Sequence, residues 1–153
     1  MLTLTRKVDY ALIGLAHLVE SPDRTVSARE IAQRHGLPLA LLMKILKALH
    51  QHGVLISTRG VKGGYQIAID LDHLSLARLI EMVEGSPTRT GPVARRLSRL
   101  PPVQGLQYRL MACLRDLKVT DLVKPGRRID VPLELVGFNG NGQKKRAPAT
   151  TPA

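Results

Sequence analysis

The amino-acid sequence predicts a mainly α-helical fold with one small antiparallel β-hairpin, and three observations lead to this prediction. Apolar residues recur at three- and four-residue intervals near the N-terminus, which is the spacing of an amphipathic helix. Two more helical segments follow, separated by a short turn. The stretch STRGVKGGY, residues 57–65, then lies between two apolar strand-like runs and contains three glycines and two cations. Because a plain hairpin turn needs only one or two glycines and no cations, this tip has a further purpose.

The first two helices are predicted from an apolar stripe and from capping residues. The first helix covers residues 5–20 and ends at SPDRT; its stripe consists of Val8, Ala11, Leu12, Leu15 and Val19. Ser27 and Glu30 have the spacing of a capping box, and Gly36 is a natural stop. The second helix is therefore expected from about 28 to 35.

A third helix is predicted from Pro38 to about residue 51, because proline is tolerated in the first turn of a helix. Its buried side is expected to contain Leu42, Ile45, Leu46 and Leu49. Strands at about 54–58 and 64–69 flank the glycine-rich tip, and Tyr65 is expected to pack on the core side of the hairpin. A helix-turn-helix followed directly by a hairpin with a long basic tip is a winged helix.

The C-terminal half is predicted to contain a second helical region. Ser75 caps a fourth helix, LARLIEMVEG, and residues 86–103 form a loop with four prolines, four arginines and no acid. A fifth helix follows over about 104–118, and TDLV has the pattern of a capped final turn. We expect four segments: a winged helix-turn-helix domain over 1–84, an Arg-rich loop over 85–103, a long dimerisation helix over 104–124, and a basic C-terminal extension over 125–153, disordered from about 137.

The composition favours a polyanionic partner. The 153 residues carry a formal net charge of +11, which indicates nucleic acid first and an anionic membrane surface second, with solubility alone as the alternative. With no Trp, one Phe and three Tyr, few aromatic faces can stack on single strands, so duplex binding fits better. The single cysteine, Cys113, excludes an intrachain disulfide and a multi-cysteine metal site. The chain shows no membrane-spanning run and no signal-peptide pattern, so we expect a cytoplasmic protein without membrane partners.

The stretch RGVKGGY with the preceding GVLIST, the N-terminal LTRKVDYAL and the later VTDLV together resemble the Rrf-type family of winged-helix transcription regulators. This group contains IscR, NsrR and CymR, and the resemblance covers roughly residues 1–124. It implies a homodimer that binds double-stranded DNA and represses or activates promoters, and in many members an iron–sulfur cluster that senses a signal. No enzyme is expected, since no nucleophile with an oriented base can be recognised.

The sequence departs from the cluster-binding pattern of that family. The resemblance places three cysteines in the loop before the fifth helix, and residues 86–103 contain none. Asp9 matches the aspartate that the family's nitric-oxide sensors use as a cluster ligand, but an aspartate alone cannot hold a cluster. We therefore expect no metal and no cofactor. The alternative is an iron–sulfur cluster with atypical ligands from both subunits, such as Asp9, His17 and Cys113.

The third helix is the predicted recognition helix for the major groove. Lys44 and Lys47 could bond guanine or grip phosphate, and Leu39 or Met43 could touch thymine methyl groups. Arg59 at the wing tip is expected to enter a minor groove, where A·T-rich narrowing strengthens the negative potential. The predicted DNA-binding residues are Arg6, Lys7, Arg29, Leu39, Met43, Lys44, Lys47, Thr58, Arg59, Gly60 and Lys62.

The fifth helix carries an apolar stripe that a lone helix cannot bury. A symmetric partner helix would cover it and would place two recognition helices on one face of the duplex. The predicted dimer interface consists of Leu106, Leu110, Cys113, Leu114 and Leu117. A second hypothesis is a winged-helix module that binds a protein or RNA and not promoters. The apolar recognition face favours that hypothesis, whereas the basic wing favours DNA.

Overall fold

The computed structural model describes residues 5–60, 63–85, 101–124 and 126. It confirms the mainly helical fold with one two-stranded antiparallel hairpin. The elements are α1 (Arg6–Val19), α2 (Ala28–His35), α3 (Leu39–Gln51), β1 (Leu55–Thr58), β2 (Gly64–Ile67), a 3₁₀ turn (Leu71–His73), α4 (Leu76–Glu84), α5 (Pro101–Asp116) and α6 (Val119–Val123). The predictions for Lys62, for residues 86–100 and for nearly all of the C-terminal extension lie outside the described residues.

The ends of α2 are set by local capping, and they coincide with the predicted ends. The hydroxyl of Ser27 accepts a hydrogen bond from the backbone N–H of Glu30 at 3.1 Å. At the other end Gly36 adopts a left-handed conformation with φ of 63°. The predicted capping box is only half formed, because the carboxylate of Glu30 binds Arg24 instead of turning back to the N-cap.

The core surrounds α1, which packs against α3, α4, α6 and β2. Along α1 the residues Val8, Ala11 and Leu15 are fully buried, whereas Leu12 and Val19 are only half-buried. The predicted inner side of α3 is confirmed, since its four residues are all buried: Leu42, Ile45, Leu46 and Leu49. Pro38 is the residue before α3 rather than part of its first turn, and its carbonyl accepts from Leu41 and Leu42. Burial of this apolar side fixes which residues of α3 face the solvent.

The wing hairpin is shorter than predicted and is attached to a residue that the sequence analysis missed. Its strands pair from Leu55 with Ile67 to Thr58 with Gly64, so β1 begins at 55 and β2 ends at 67. Tyr65 also forms a two-way backbone bridge with Val26, with N–H···O distances of 2.8 and 3.0 Å. The ring of Tyr65 packs against the core, as predicted. The hairpin is thus anchored to the segment that precedes α2.

The C-terminal helices differ from the prediction at their ends. α5 begins at Pro101 rather than 104, so residues 101–103 of the predicted loop are helical; prolines are tolerated in a first turn, where no N–H is needed. The segment 104–124 contains the helix and the separate final turn that the sequence predicts, although α5 ends at Asp116 rather than about 118 and α6 begins at Val119. Lys118 precedes α6, and its N–H donates to Asp121 at 3.3 Å; Thr120, the expected cap, is buried within the turn.

Candidate nucleic-acid interface

The outward side of α3 presents two lysines on an otherwise apolar or neutral surface. Lys44 and Lys47 are exposed, and neither forms a hydrogen bond or ion pair with a described residue. Met43 beside them is 50% exposed, which is unusual for a large apolar side chain, while Leu39 is half-buried. This surface can donate to guanine or to phosphate and can pack against thymine methyl groups.

The wing tip presents Arg59 next to a backbone that requires glycine. Arg59 is exposed, and its guanidinium has no partner among the described residues. Gly60 has a backbone φ of 116°, which residues other than glycine rarely adopt. Its carbonyl oxygen accepts a hydrogen bond from the N–H of Gly63 at 2.9 Å. Thr58 is also exposed and ends β1. The tip therefore offers a cation on a backbone that can closely approach a ligand.

Gly64 is required by the anchor of the wing rather than by its tip. A Cβ atom at this position would overlap the carbonyl oxygen of Val26 and the backbone around it. Only glycine therefore lets β2 approach closely enough for Tyr65 to bridge with Val26. The third glycine of the motif thus lets β2 of the wing lie against the segment before α2.

Three other cations predicted to bind DNA, Arg6, Lys7 and Arg29, have different surroundings. Arg6 and Arg29 are exposed and have no partner among the described residues. Lys7 instead pairs with Glu84 at the end of α4, with Nζ 3.4 Å from the carboxylate, and Thr5 donates to the same carboxylate. This pairing competes with a phosphate for the lysine.

A polar cluster joins α1 to α2 beneath the interface. The Nδ1 atom of buried His17 lies 3.1 Å from Nε2 of exposed His35. On the other side of the ring, Nε2 of His17 lies 3.7 Å from Glu30, which is too far for a hydrogen bond. Arg24 binds Glu30 with both terminal nitrogens, at 2.5 and 3.1 Å, and these hydrogen bonds hold the pKa of Glu30 below its ordinary value.

The candidate cluster ligands do not form a metal site in the described residues, where no group of three or more His, Cys, Asp or Glu side chains could hold a metal ion. Asp9 is exposed in the first turn of α1, and His17 is buried with Nδ1 directed at His35. Cys113 is half-buried in α5, and it is the single cysteine of the chain. An iron–sulfur cluster is held mainly by several thiolates, and the chain supplies one cysteine.

The apolar stripe of α5, defined as Leu106, Leu110, Cys113 and Leu114 together with Leu117 just after the last residue of the helix, is only partly covered by its own domain. Leu106 is 70% exposed and Leu110 is 39% exposed, whereas Leu114 and Leu117 pack against the core. The half of α5 nearer its N-terminus therefore leaves apolar side chains in solvent.

Within the described part of the chain, no helix is long and apolar enough to cross a membrane.

Three residues of structural importance for this interface were not predicted: Val26, Glu84 and His50. A signal for Val26 is present, since it precedes the N-cap Ser27 and is buried together with Ile31, as in a hydrophobic staple. Glu84 carries no such signal, because its partner Lys7 lies 77 positions away in the chain. His50 bonds residues only five and seven positions on, but no sequence pattern gives the direction of the turn between α3 and β1.

Comparisons of the sequence with known families and proteins both indicate a transcriptional regulator. The sequence model of the Rrf2 family, described as an iron-dependent transcriptional regulator, matches residues 4–124. A putative HTH-type transcriptional regulator of Aquifex aeolicus is 39% identical over 75 residues, which cover 49% of this chain and 52% of the relative. The matched region thus spans about half the length of that relative.

Solved structures share the fold. CymR (YrzC) of B. subtilis superposes with a TM-score of 0.62 at 24% identity, covering 80% of this chain and 97% of CymR. T. potens IscR gives a TM-score of 0.63 at 21% identity, covering 88% of this chain and 96% of IscR. At these identities the likeness establishes the winged-helix architecture.

Proposed function

The chain belongs to the Rrf2 family of transcriptional regulators and has a DNA-binding winged helix, and from this membership we propose that it acts as a cytoplasmic, homodimeric regulator of promoters and not as an enzyme. In this proposal α3 lies in the major groove of duplex DNA. Arg59 of the wing enters the adjacent minor groove. Arg6 and Arg29 hold phosphates on either side.

The observation that carries the proposal is a set of exposed cations without acidic partners. Lys44 and Lys47 on α3 and Arg59 on the wing are all exposed, and none pairs with a described acid. Unpaired like charges on one protein repel each other, and a polyanion that neutralises them releases its counterions on binding. Duplex DNA supplies such a polyanion with a groove of the width that a helix needs.

The composition of the α3 surface supports modest direct reading of bases. Its two lysines are the charged donors, and its other exposed members include Ala40 and the half-exposed Met43. Apolar side chains discriminate thymine methyl groups but read little else. We therefore assign a larger share of the specificity to groove shape at the wing and to the spacing of two half-sites.

The α5 stripe supports the dimer. Leu106 and Leu110 are exposed in the single chain, and a two-fold related copy of α5 would cover them. A two-fold axis would place two winged helices on one face of the duplex, about 34 Å apart or a multiple of it.

The donor set supports regulation without an iron–sulfur cluster, although the family description names iron. One cysteine per chain provides two thiolates per dimer, and the imidazole of His17 is buried and directed at His35. The signal is then a small molecule, a partner protein or oxidation of Cys113.

Selection of bound duplexes from a random DNA pool tests the proposal. We expect enrichment of a sequence with two half-sites related by two-fold symmetry and an A·T-rich position beside each half-site. Failure to enrich any duplex would contradict it. Tighter retention of a structured RNA added as competitor would instead favour the RNA-binding hypothesis.

A further inference from the structure

We infer that His50 is a positioning residue that fixes the wing relative to α3, and thereby sets where Arg59 meets the minor groove. This inference rests on the proposed role of Arg59. His50 lies in the last turn of α3, and its side chain bonds two residues of β1. Among the described residues, no other side chain of α3 forms a hydrogen bond with the wing.

The geometry of the contact fixes the tautomer of the imidazole. Nδ1 of His50 lies 2.9 Å from the carbonyl oxygen of Leu55. Because a carbonyl can only accept, Nδ1 carries the proton and donates it. In the neutral ring Nε2 is then an acceptor, and the hydroxyl of Ser57, 3.3 Å away, donates to it. One imidazole thus holds the first and third residues of β1.

Because these bonds lie along β1, His50 determines the direction in which β1 carries the wing tip. Leu55 is buried at the base of β1, whereas Ser57 is exposed two residues before Arg59. At about 3.3 Å per residue, Arg59 lies roughly 13 Å beyond Leu55 along the strand direction. A tilt of about 10° at the base would therefore move the arginine by about 2 Å, which exceeds the tolerance of a well-formed binding site.

Two other attachments hold the hairpin, and neither joins α3 to β1 at the level of Ser57. Val26 bridges to Tyr65 on β2, and the N–H of Val54 donates to Leu49 at the base. The first holds β2 at the level of Ser57, because Tyr65 pairs with Ser57 across the hairpin, and the second holds only the base of β1. The bond to Ser57 is the side-chain tether of β1 nearest the tip within the described residues. Loss of His50 should thus loosen the wing without unfolding the domain, since the side chain is exposed.

A double-mutant cycle tests the inference on the duplex that wild type enriches from the random pool. At fixed salt, Arg59→Ala is expected to weaken binding about 10-fold or more. His50→Ala should weaken it about 5-fold, and the double variant should bind within about 2-fold of Arg59→Ala alone, because the two residues act as one unit. Thermal unfolding of His50→Ala should show a folded protein.

Two further variants separate positioning from a general loss of contacts. His50→Asn retains an amide donor for the carbonyl of Leu55 but is too short to accept from Ser57, so its affinity should lie between those of wild type and His50→Ala. His52→Ala serves as the matched control. His52 lies two residues after His50 and is exposed, and its side chain forms no hydrogen bond in the described part of the chain.

Each contrary outcome has a distinct meaning. Wild-type affinity for His50→Ala, or effects of His50→Ala and Arg59→Ala that multiply in the double variant, would overturn the inference while leaving the role of Arg59 intact. If His50→Asn bound DNA as weakly as His50→Ala, that result would also overturn the inference. Wild-type affinity for Arg59→Ala would refute the proposed role of the wing itself and the inference with it.

Discussion

The imidazoles of His17 and His35 meet at 3.1 Å, so that a buried residue of α1 holds the end of α2, the first helix of the helix-turn-helix. The rings are nearly perpendicular, and their centroids are 5.2 Å apart. His17 is 4% exposed, and its second nitrogen is buried without a hydrogen-bond partner. An unsatisfied buried nitrogen opposes folding, so the packing of this ring matters more for stability than its polarity.

His17→Leu is therefore expected to change the free energy of unfolding by less than about 1 kcal/mol, or to raise it. The leucine fills much of the same space, removes the unsatisfied nitrogen, and leaves the exposed His35 to bond water. His17→Ala, the control, should cost about 2–4 kcal/mol because it leaves a cavity. Urea denaturation measures both. A leucine variant as unstable as the alanine variant would show that the polar contacts hold the helices together.

Gly64→Ala is expected to lower the free energy of unfolding by about 2 kcal/mol or more and to weaken DNA binding. The new methyl group would overlap the backbone of Val26 and break the bridge to Tyr65. Gly105→Ala in α5 is the matched control, because nothing lies within 4 Å of its Cβ position. It should stabilise the protein by about 0.5–1 kcal/mol through helix propensity. Equal effects of the two substitutions in thermal unfolding would refute the anchor.

The same contacts show what the sequence could predict and where it fell short. Both ends of α2 were predicted correctly because Ser27 and Gly36 act on residues within one turn. The Val26–Tyr65 bridge and the Lys7–Glu84 pair join residues far apart in the chain, 77 positions in the second case, so no local pattern reveals them. The start of α5 at Pro101 was missed because a proline permits either a loop or a first helical turn.

The candidate site was likewise predictable only in part from the sequence. The exposed face of α3 follows from the period of its apolar residues, which the burial of Leu42 and Leu46 confirms. The sequence could not show that Lys7 pairs with an acid, because that pair depends on how α1 and α4 pack. Nor could it show that His50 reaches β1, because that contact depends on the geometry of the turn between α3 and β1.

Protein purified under anaerobic conditions, with iron and sulfide supplied, is expected to be colourless and free of iron. The chain has one cysteine, and clusters need several thiolate or imidazole ligands. Absorption spectra and iron analysis test this, with a cluster-binding relative treated in parallel as the positive control. A stoichiometric chromophore that disappears in Cys113→Ala would contradict the expectation and would require ligands from both subunits.

Leu110→Asp is expected to convert the dimer to monomers, because it places a charge in the apolar seam between two copies of α5. Tyr108→Asp introduces the same charge on the opposite side of α5, where the side chain is 73% exposed, and should remain dimeric. Light scattering at micromolar concentration measures the mass of each. A monomeric wild type, or a dimeric Leu110→Asp variant, would show that the seam does not hold two copies together.

The salt dependence of duplex binding tests the central claim most directly. Fluorescence anisotropy with the selected duplex and a scrambled duplex gives the association constant at each NaCl concentration. We expect the logarithm of that constant to fall linearly with the logarithm of salt, with a slope of about −4 or steeper. The selected sequence should bind about 1,000-fold or more tightly than the scrambled one at physiological salt. A flat salt response, or equal affinity for the two duplexes, would contradict the assignment of this protein as a sequence-specific DNA-binding regulator.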